Sequence, residues 1–234
     1  MGVAVLNARL VSSYDIAPEV KHFTFDVPDV EQLPYLPGQF VSFSRDFHGK
    51  KITRAYSTAS PPAGNRFELC LNRVADGHFS PYLFEMNPGD MVEMKGPLGF
   101  FTWRKPMSDS ILVATGTGIA PFRAMLHGYL GSEPEREITL VFGVRYEHGL
   151  LYREEFEEME RKYPNFHFWP TLSRPEATWT GRTGHVQEHV FEALGLRQDM
   201  DVYICGLAAM VDDVRPRLKE FGLERRQIIF EKYD

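Results

Sequence analysis

The hydrophobic pattern of this chain changes its period once. Up to about residue 104, apolar and polar positions alternate in short runs at 3–11, 19–27, 39–46, 52–59, 67–74 and 91–95, separated by turns such as Pro37-Gly38, Pro61-Pro62 and Pro88-Gly89. Period-two runs bounded by turn residues are strands with one buried face, and six of them predict an antiparallel β-barrel. Beyond Pro106 the pattern becomes apolar strand, helix, apolar strand. Strands are expected at 111–115, 138–144, 166–172, 202–205 and 228–230, and helices near 121–129, 151–162, 186–194 and 210–221. That order predicts a doubly wound parallel sheet with helices on both faces. Two domains are expected, an antiparallel Greek-key barrel over 1–105 and a parallel-sheet α/β domain over 106–234, with Arg104-Lys105-Pro106 as linker.

Composition narrows the function classes. At 234 residues and 43% hydrophobic content the chain supports two ordinary cores. Basic and acidic residues number 11 each in 1–105, against 15 and 21 in 106–234, so the second part carries the whole net charge of −6. With no Lys/Arg block, general nucleic-acid or membrane-surface binding is disfavoured, and small charged metabolites are the expected partners. Cys70 and Cys205 are too few for a four-thiolate iron–sulfur cluster or a Cys-rich zinc site, so no metal is expected. Met1-Gly2-Val3-Ala4-Val5-Leu6-Asn7 lacks the pattern of a signal peptide, and no apolar run approaches membrane-spanning length. The expectation is a soluble cytoplasmic protein with reduced thiols.

Three groups of residues carry candidate chemistry. Arg54-Ala55-Tyr56-Ser57 joins a cation, an aromatic plate and a hydroxyl. In an extended segment Arg54 and Tyr56 project to one side with Ser57 on the edge between them, which suits a flat ring with a diphosphate tail. From the tetrapeptide alone an ordinary strand with a surface Arg and a half-buried Tyr is the better reading, since so short a match recurs by chance. Thr115-Gly116-Thr117-Gly118-Ile119-Ala120-Pro121 follows a buried strand and precedes a helix, where missing side chains admit phosphates to the backbone. A tight strand-to-helix connection is the alternative, and Pro121 stands where a third glycine would complete G-x-G-x-x-G. Arg145, Ser173-Arg174, Arg182 and Cys205-Gly206 follow later strands, on the side where open α/β sheets collect ligands. Taken singly, these are solvated arginines and a small buried core cysteine.

The joint order of these motifs resembles the ferredoxin–NADP reductase superfamily, most closely its compact bacterial ferredoxin/flavodoxin–NADP reductases. The resemblance runs from Pro37-Gly38-Gln39-Phe40 to the C-terminus. It passes through Arg54-Ala55-Tyr56-Ser57, Gly77-His78-Phe79-Ser80-Pro81, Gly96-Pro97-Leu98-Gly99-Phe100-Phe101, the turn at 115–121, Arg145-Tyr146, Ser173-Arg174, Gly181-Arg182 and Cys205-Gly206. It implies a barrel that holds FAD, an α/β domain that binds NADPH or NADH, and a reductase that passes single electrons to a ferredoxin or flavodoxin.

Carried over by position, Arg54 contacts the FAD pyrophosphate, Tyr56 stacks on the isoalloxazine, Ser57 hydrogen-bonds its N5 region, and Ala55 between them is a further cofactor contact. Cys70, Leu71 and Asn72 line the flavin edge, while Gly77, His78, Phe79 and Ser80 meet the pyrophosphate. Gly116, Thr117, Gly118 and Gly206 approach the nicotinamide nucleotide, with Thr117 between flavin and nicotinamide. Cys205 positions the nicotinamide carbon that gives up hydride. Glu231 relays protons, and Tyr233 covers a ring face or touches the adenine. Compact bacterial members often end in Trp where this chain has Asp234. Arg145, Arg174 and Arg182 match positions that grip an adenosine 2′-phosphate, which leans the reading towards NADPH, and Ser173 is a further expected cofactor contact. Arg45, Lys50, Lys51 and Arg54 would form a basic face for an acidic carrier, or a solvated loop. Ser57, Cys205 and Glu231 are the expected catalytic residues of a monomer. Two other readings stand beside this one, the reductase component of an oxygenase or free-flavin reductase, and a non-catalytic flavin-bound electron-transfer or sensing subunit.

Overall fold

The computed structural model describes residues 4–233. The expected strand position at residue 3 and the departure at Asp234 lie outside the described residues. The chain divides into two units, Met1–Thr102 with Arg123–Gly128, and Trp103–Phe122 with Tyr129–Asp234.

The first unit is an antiparallel sheet of six strands: β1 (Val5–Ala17), β2 (Val20–Asp26), β3 (Phe40–Phe47), β4 (Lys50–Ser57), β5 (Arg66–Asn72) and β6 (Met91–Leu98). Their order is β4-β3-β6-β1-β2-β5, a Greek-key arrangement in which β6 returns between β3 and β1. An antiparallel bridge between Thr58 and Leu69 draws the two edges together. The inward faces supply Phe23, Phe25, Phe43 and Phe67, all fully buried, with Phe25 stacked on Phe67 at 5.6 Å between ring centres. Gly38 is required in its turn, with φ at 98° and a Cβ there meeting the Phe101 carbonyl oxygen. Two features depart from the sequence pattern. β1 runs on to Ala17, because bulges after Leu10 and Asp15 let its mixed polar face keep pairing with β2. The segment after β5 folds into a short helix, α1 (Phe79–Glu85), which buries Phe79, Ser80 and Leu83.

The second unit is a six-stranded parallel sheet: β7 (Ser110–Thr115), β8 (Ile138–Val144), β9 (Phe166–Leu172), β10 (Arg182–Thr183), β11 (Asp201–Leu207) and β12 (Ile228–Tyr233). The order is β10-β9-β8-β7-β11-β12. The helices between its strands are α2 (Ala120–Tyr129), of which Arg123–Gly128 belongs to the first unit, and α3 (Arg153–Lys162), α4 (Val186–Leu194) and α5 (Ala208–Phe221). On one face, Val186, Val190 and Leu194 of α4 and Met210, Val211, Val214 and Leu218 of α5 share a core with Ile111, Val113, Val141, Val202 and Ile204 of the strands. On the other, Phe156 of α3 meets Phe168 of β9 at 5.4 Å. The strands β7 and β8, buried up to their last residues, explain the unbroken apolar runs in the sequence. The order reverses between β7 and β11, a topological switch point whose carboxyl edge is where such sheets bind ligands. No helix among the described residues is long and apolar enough to cross a membrane.

Candidate functional site

In the antiparallel unit the candidate residues converge at the ends of β4 and β5 and at the start of α1. Across β3 and β4, Phe43 pairs with Arg54 and Val41 with Tyr56. Directly opposed residues share a face, so Arg54 and Tyr56 lie on the face of the buried Phe43 and Val41 as expected. Their environments differ. Tyr56 packs into the aromatic core, 5.8 Å from Phe43 and 6.3 Å from Phe79 between ring centres, and burial pushes its phenol pKa well up. Arg54 is exposed, and its Nη1 donates to the neighbouring Thr53 carbonyl at 2.8 Å. Ser57 is buried on the opposite face rather than on an edge between the two.

Around this ribbon, Cys70 and Leu71 are buried and Asn72 is exposed at the end of β5. The turn that follows is fixed by two hydrogen bonds, from the Gly77 amide to the Val74 carbonyl at 2.9 Å and from the Val74 amide to Ser80 Oγ at 2.9 Å. Ser80 is therefore the turn's internal acceptor, Phe79 is a core residue, and the exposed His78 and the Gly77 backbone are the parts that face outward. Gly77 and His78 line an open groove of about 460 Å³ with Arg45, Phe47 and Tyr82, residues that the sequence pattern did not single out for a ligand. Arg45 lies 3.9 Å over the Tyr82 ring. Lys51 pairs with Glu93, so among the described residues Arg45, Lys50 and Arg54 are the three of the four basic positions without an acidic partner, Arg45 lying instead over aromatic rings. A solvent-facing guanidinium and a packed phenol on one face of β4 suit a flavin dinucleotide, cation for diphosphate and plate for ring.

In the parallel unit a second constellation forms at the switch point. Gly116, Thr117 and Gly118 make a single 3₁₀ turn between β7 and α2, so helical structure begins ahead of Pro121. A Cβ on Gly118 would meet the Cys205 carbonyl and lie 2.7 Å from the Gly206 Cα, so glycine is what allows this turn to reach the end of β11. Along the sheet Cys205 pairs with Glu231 and Leu207 with Tyr233. The Cys205 thiol is fully buried, and its pKa is pushed well up by burial first and by the Glu231 carboxylate second, against a hydrogen bond with Tyr233. The thiol therefore stays protonated in neutral water, a soft polar contact rather than a thiolate nucleophile. Sequence extent understated this region: β12 continues through Glu231 to Tyr233, and that continuation brings both beside Cys205.

The later arginines separate. The Ser173 amide donates to the Val144 carbonyl at 3.0 Å and the Arg174 amide to the Arg145 carbonyl at 2.9 Å, which holds the exposed Arg145 and Arg174 side by side past the ends of β8 and β9. Arg182 is not with them. Its guanidinium lies 3.7 Å over the Trp169 ring and pairs with Glu192 at 2.9 Å.

Comparison with known proteins follows the same division. Residues 7–103 match the family described as oxidoreductase FAD-binding domain, and residues 112–216 the family described as oxidoreductase NAD-binding domain. Ferredoxin--NADP reductase B of Sorangium cellulosum is 38% identical over 97% of this chain and 97% of its own length. The toluate 1,2-dioxygenase electron transfer component of Pseudomonas putida is 29% identical over 98% of this chain, which spans 66% of that protein. Among solved structures, the Amycolatopsis cytochrome P450 reductase GcoB superposes with a TM-score of 0.89 at 29% identity, over 98% of this chain and 70% of that one.

Proposed function

The chain belongs to the ferredoxin–NADP reductase superfamily of FAD- and NAD(P)-binding oxidoreductases, and on that premise we propose that it is a reductase that delivers electrons from NADPH to a ferredoxin or flavodoxin. The observation that carries this reading is the pair of constellations, one in each unit. A flavin, when bound, supplies the chemistry that accepts a hydride and returns electrons singly. Everything else is positioning by the chain's own residues. Residues 1–105 serve as the FAD domain and 106–234 as the NAD(P) domain.

In the first, Arg54, with the Gly77 backbone and His78, holds the diphosphate. Tyr56 presents its ring to the isoalloxazine, with Ala55 and Ser57 beside it and Cys70, Leu71 and Asn72 along the edge. Phe79 and Ser80 act behind the surface by fixing the turn that aims Gly77 and His78. In the second, Gly116, Thr117, Gly118 and Gly206 leave room for the nicotinamide nucleotide, and Cys205 steadies the nicotinamide through a neutral thiol. Tyr233 and Glu231 flank that thiol, and the partly exposed Glu231 carboxylate passes protons.

The choice of NADPH rests on Arg145 and Arg174, two exposed arginines whose backbones are joined by a hydrogen bond past the ends of β8 and β9, with Ser173 beside them. Phosphate is bound bidentately by such a pair, and an exposed charge-assisted contact favours the 2′-phosphate over a hydroxyl. Arg174→Ala is expected to raise the Michaelis constant for NADPH by about tenfold and that for NADH by less than about twofold. Steady-state kinetics with both nucleotides decides this, and equal changes would remove the 2′-phosphate role. We further propose an acidic electron carrier, a monomeric state and a cytoplasmic location. Reoxidation of the reduced protein by a panel of ferredoxins and flavodoxins tests the carrier, and indifference to all of them would favour an oxygenase component.

A further inference from the structure

Arg182 sits where the motif order places a phosphate contact, yet its side chain is committed elsewhere. Arg182 pairs in register with Thr171 of β9, and Trp169 precedes Thr171 by two residues on the same face. With its guanidinium over Trp169, Arg182 is turned back along the sheet, away from the carboxyl edge where Arg145 and Arg174 lie. Glu192, in the last turn of α4, meets Arg182 Nη2 through one carboxylate oxygen at 2.9 Å. Its other oxygen lies 3.1 Å from His189 Nδ1, and His189 Nε2 lies 3.0 Å from the Thr183 carbonyl oxygen. The Trp179 indole donates to the Arg182 carbonyl at 2.8 Å, which fixes the backbone from the other side. Arg182 Nε is buried and has no hydrogen-bond partner. A stacked, paired cation with one unused donor is a phosphate ligand held in reserve: released, it offers a planar fork and a donor that no protein group among the described residues satisfies.

We propose that Glu192 limits the selectivity of this unit for 2′-phosphorylated nucleotides by holding Arg182 against Trp169, so that the 2′-phosphate meets Arg145 and Arg174 without Arg182. This rests on the reading that the parallel unit binds NAD(P)H. Glu192 and Arg182 both keep partial access to water, so the clamp is an exchangeable contact and not a buried ion pair. Removing the carboxylate lets the guanidinium leave the indole when a dianionic phosphate competes for it.

The test is calorimetric titration of the full, FAD-loaded chain with adenosine 2′,5′-bisphosphate and with 5′-AMP. Glu192→Gln is expected to tighten the bisphosphate by about five- to tenfold and to change 5′-AMP by less than about twofold. Arg182→Ala alone is expected to shift the ratio of the two affinities by less than about twofold, and Glu192→Gln combined with Arg182→Ala to return it to the wild-type value. A wild-type ratio in Glu192→Gln overturns the proposal. So does a gain that survives in the double variant, which reports only the lost negative charge, and so does an Arg182→Ala loss as large as that of Arg174→Ala. A chain that binds neither probe overturns the nucleotide reading and this proposal together, whereas binding of both with an unchanged ratio overturns this proposal alone.

Discussion

Arg54→Ala is expected to yield a protein that folds normally and purifies nearly colourless. The guanidinium is exposed and its partner in the fold is the adjacent Thr53 carbonyl, so its removal takes little from the barrel. Against a diphosphate the same group makes two charge-assisted hydrogen bonds, each about 1.5–3 kcal/mol in general, and their joint loss corresponds to a fall in FAD affinity of about a hundredfold or more. The ratio of flavin to protein absorbance after gel filtration measures the loss, and the thermal midpoint of the apoprotein, expected to match that of wild-type apoprotein, separates it from misfolding. Wild-type flavin content in Arg54→Ala would show that the diphosphate is held elsewhere. Tyr56→Ala is a poorer probe, since Tyr56 contributes to the core with Phe43 and Phe79 and its truncation leaves a cavity.

The second large effect belongs to Cys205. Cys205→Ala is expected to keep its FAD and to slow flavin reduction by NADPH by about ten- to a hundredfold, because a nicotinamide that is not steadied spends less time in a reactive geometry. Cys205→Ser, which keeps a donor of similar size, recovers part of the rate. Burial and the Glu231 carboxylate raise the thiol pKa, so the protonated form is present below the ordinary thiol range and persists above it. The reduction rate of the wild type therefore shows no inflection from this group between about pH 6 and 9. An inflection in that window that disappears in Cys205→Ser would mean the thiolate takes part. Anaerobic stopped-flow spectroscopy across pH reads both quantities.

Much of the fold is legible in the sequence. Strands buried on both faces, such as β7 and β8, announce themselves as apolar runs, and the barrel strands alternate because one face meets Phe25, Phe43 and Phe67. The local motifs were legible for the same reason: Arg54 to Ser57 and Gly116 to Gly118 are contiguous, and their geometry follows from the strand and the turn that contain them. What escaped depended on distance in the chain. α1 is seven residues long with no side-chain cap, too short for a helical period to emerge. β10 has two residues and exists because it pairs with β9. The commitment of Arg182 is set by Trp169 and Glu192, thirteen positions before it and ten after, and no local pattern joins the three. Phe47 of β3 likewise meets Gly77 and His78 at the groove from about thirty positions away in the chain.

The central claim is that one chain both holds a flavin and reduces it from a nicotinamide nucleotide. Anaerobic mixing of the purified, FAD-loaded protein with NADPH, and separately with NADH, tests this most directly. The oxidised flavin absorbance is expected to be lost to completion with one equivalent of nucleotide, at lower concentration for NADPH than for NADH. A protein whose flavin remains oxidised in excess of both would contradict it.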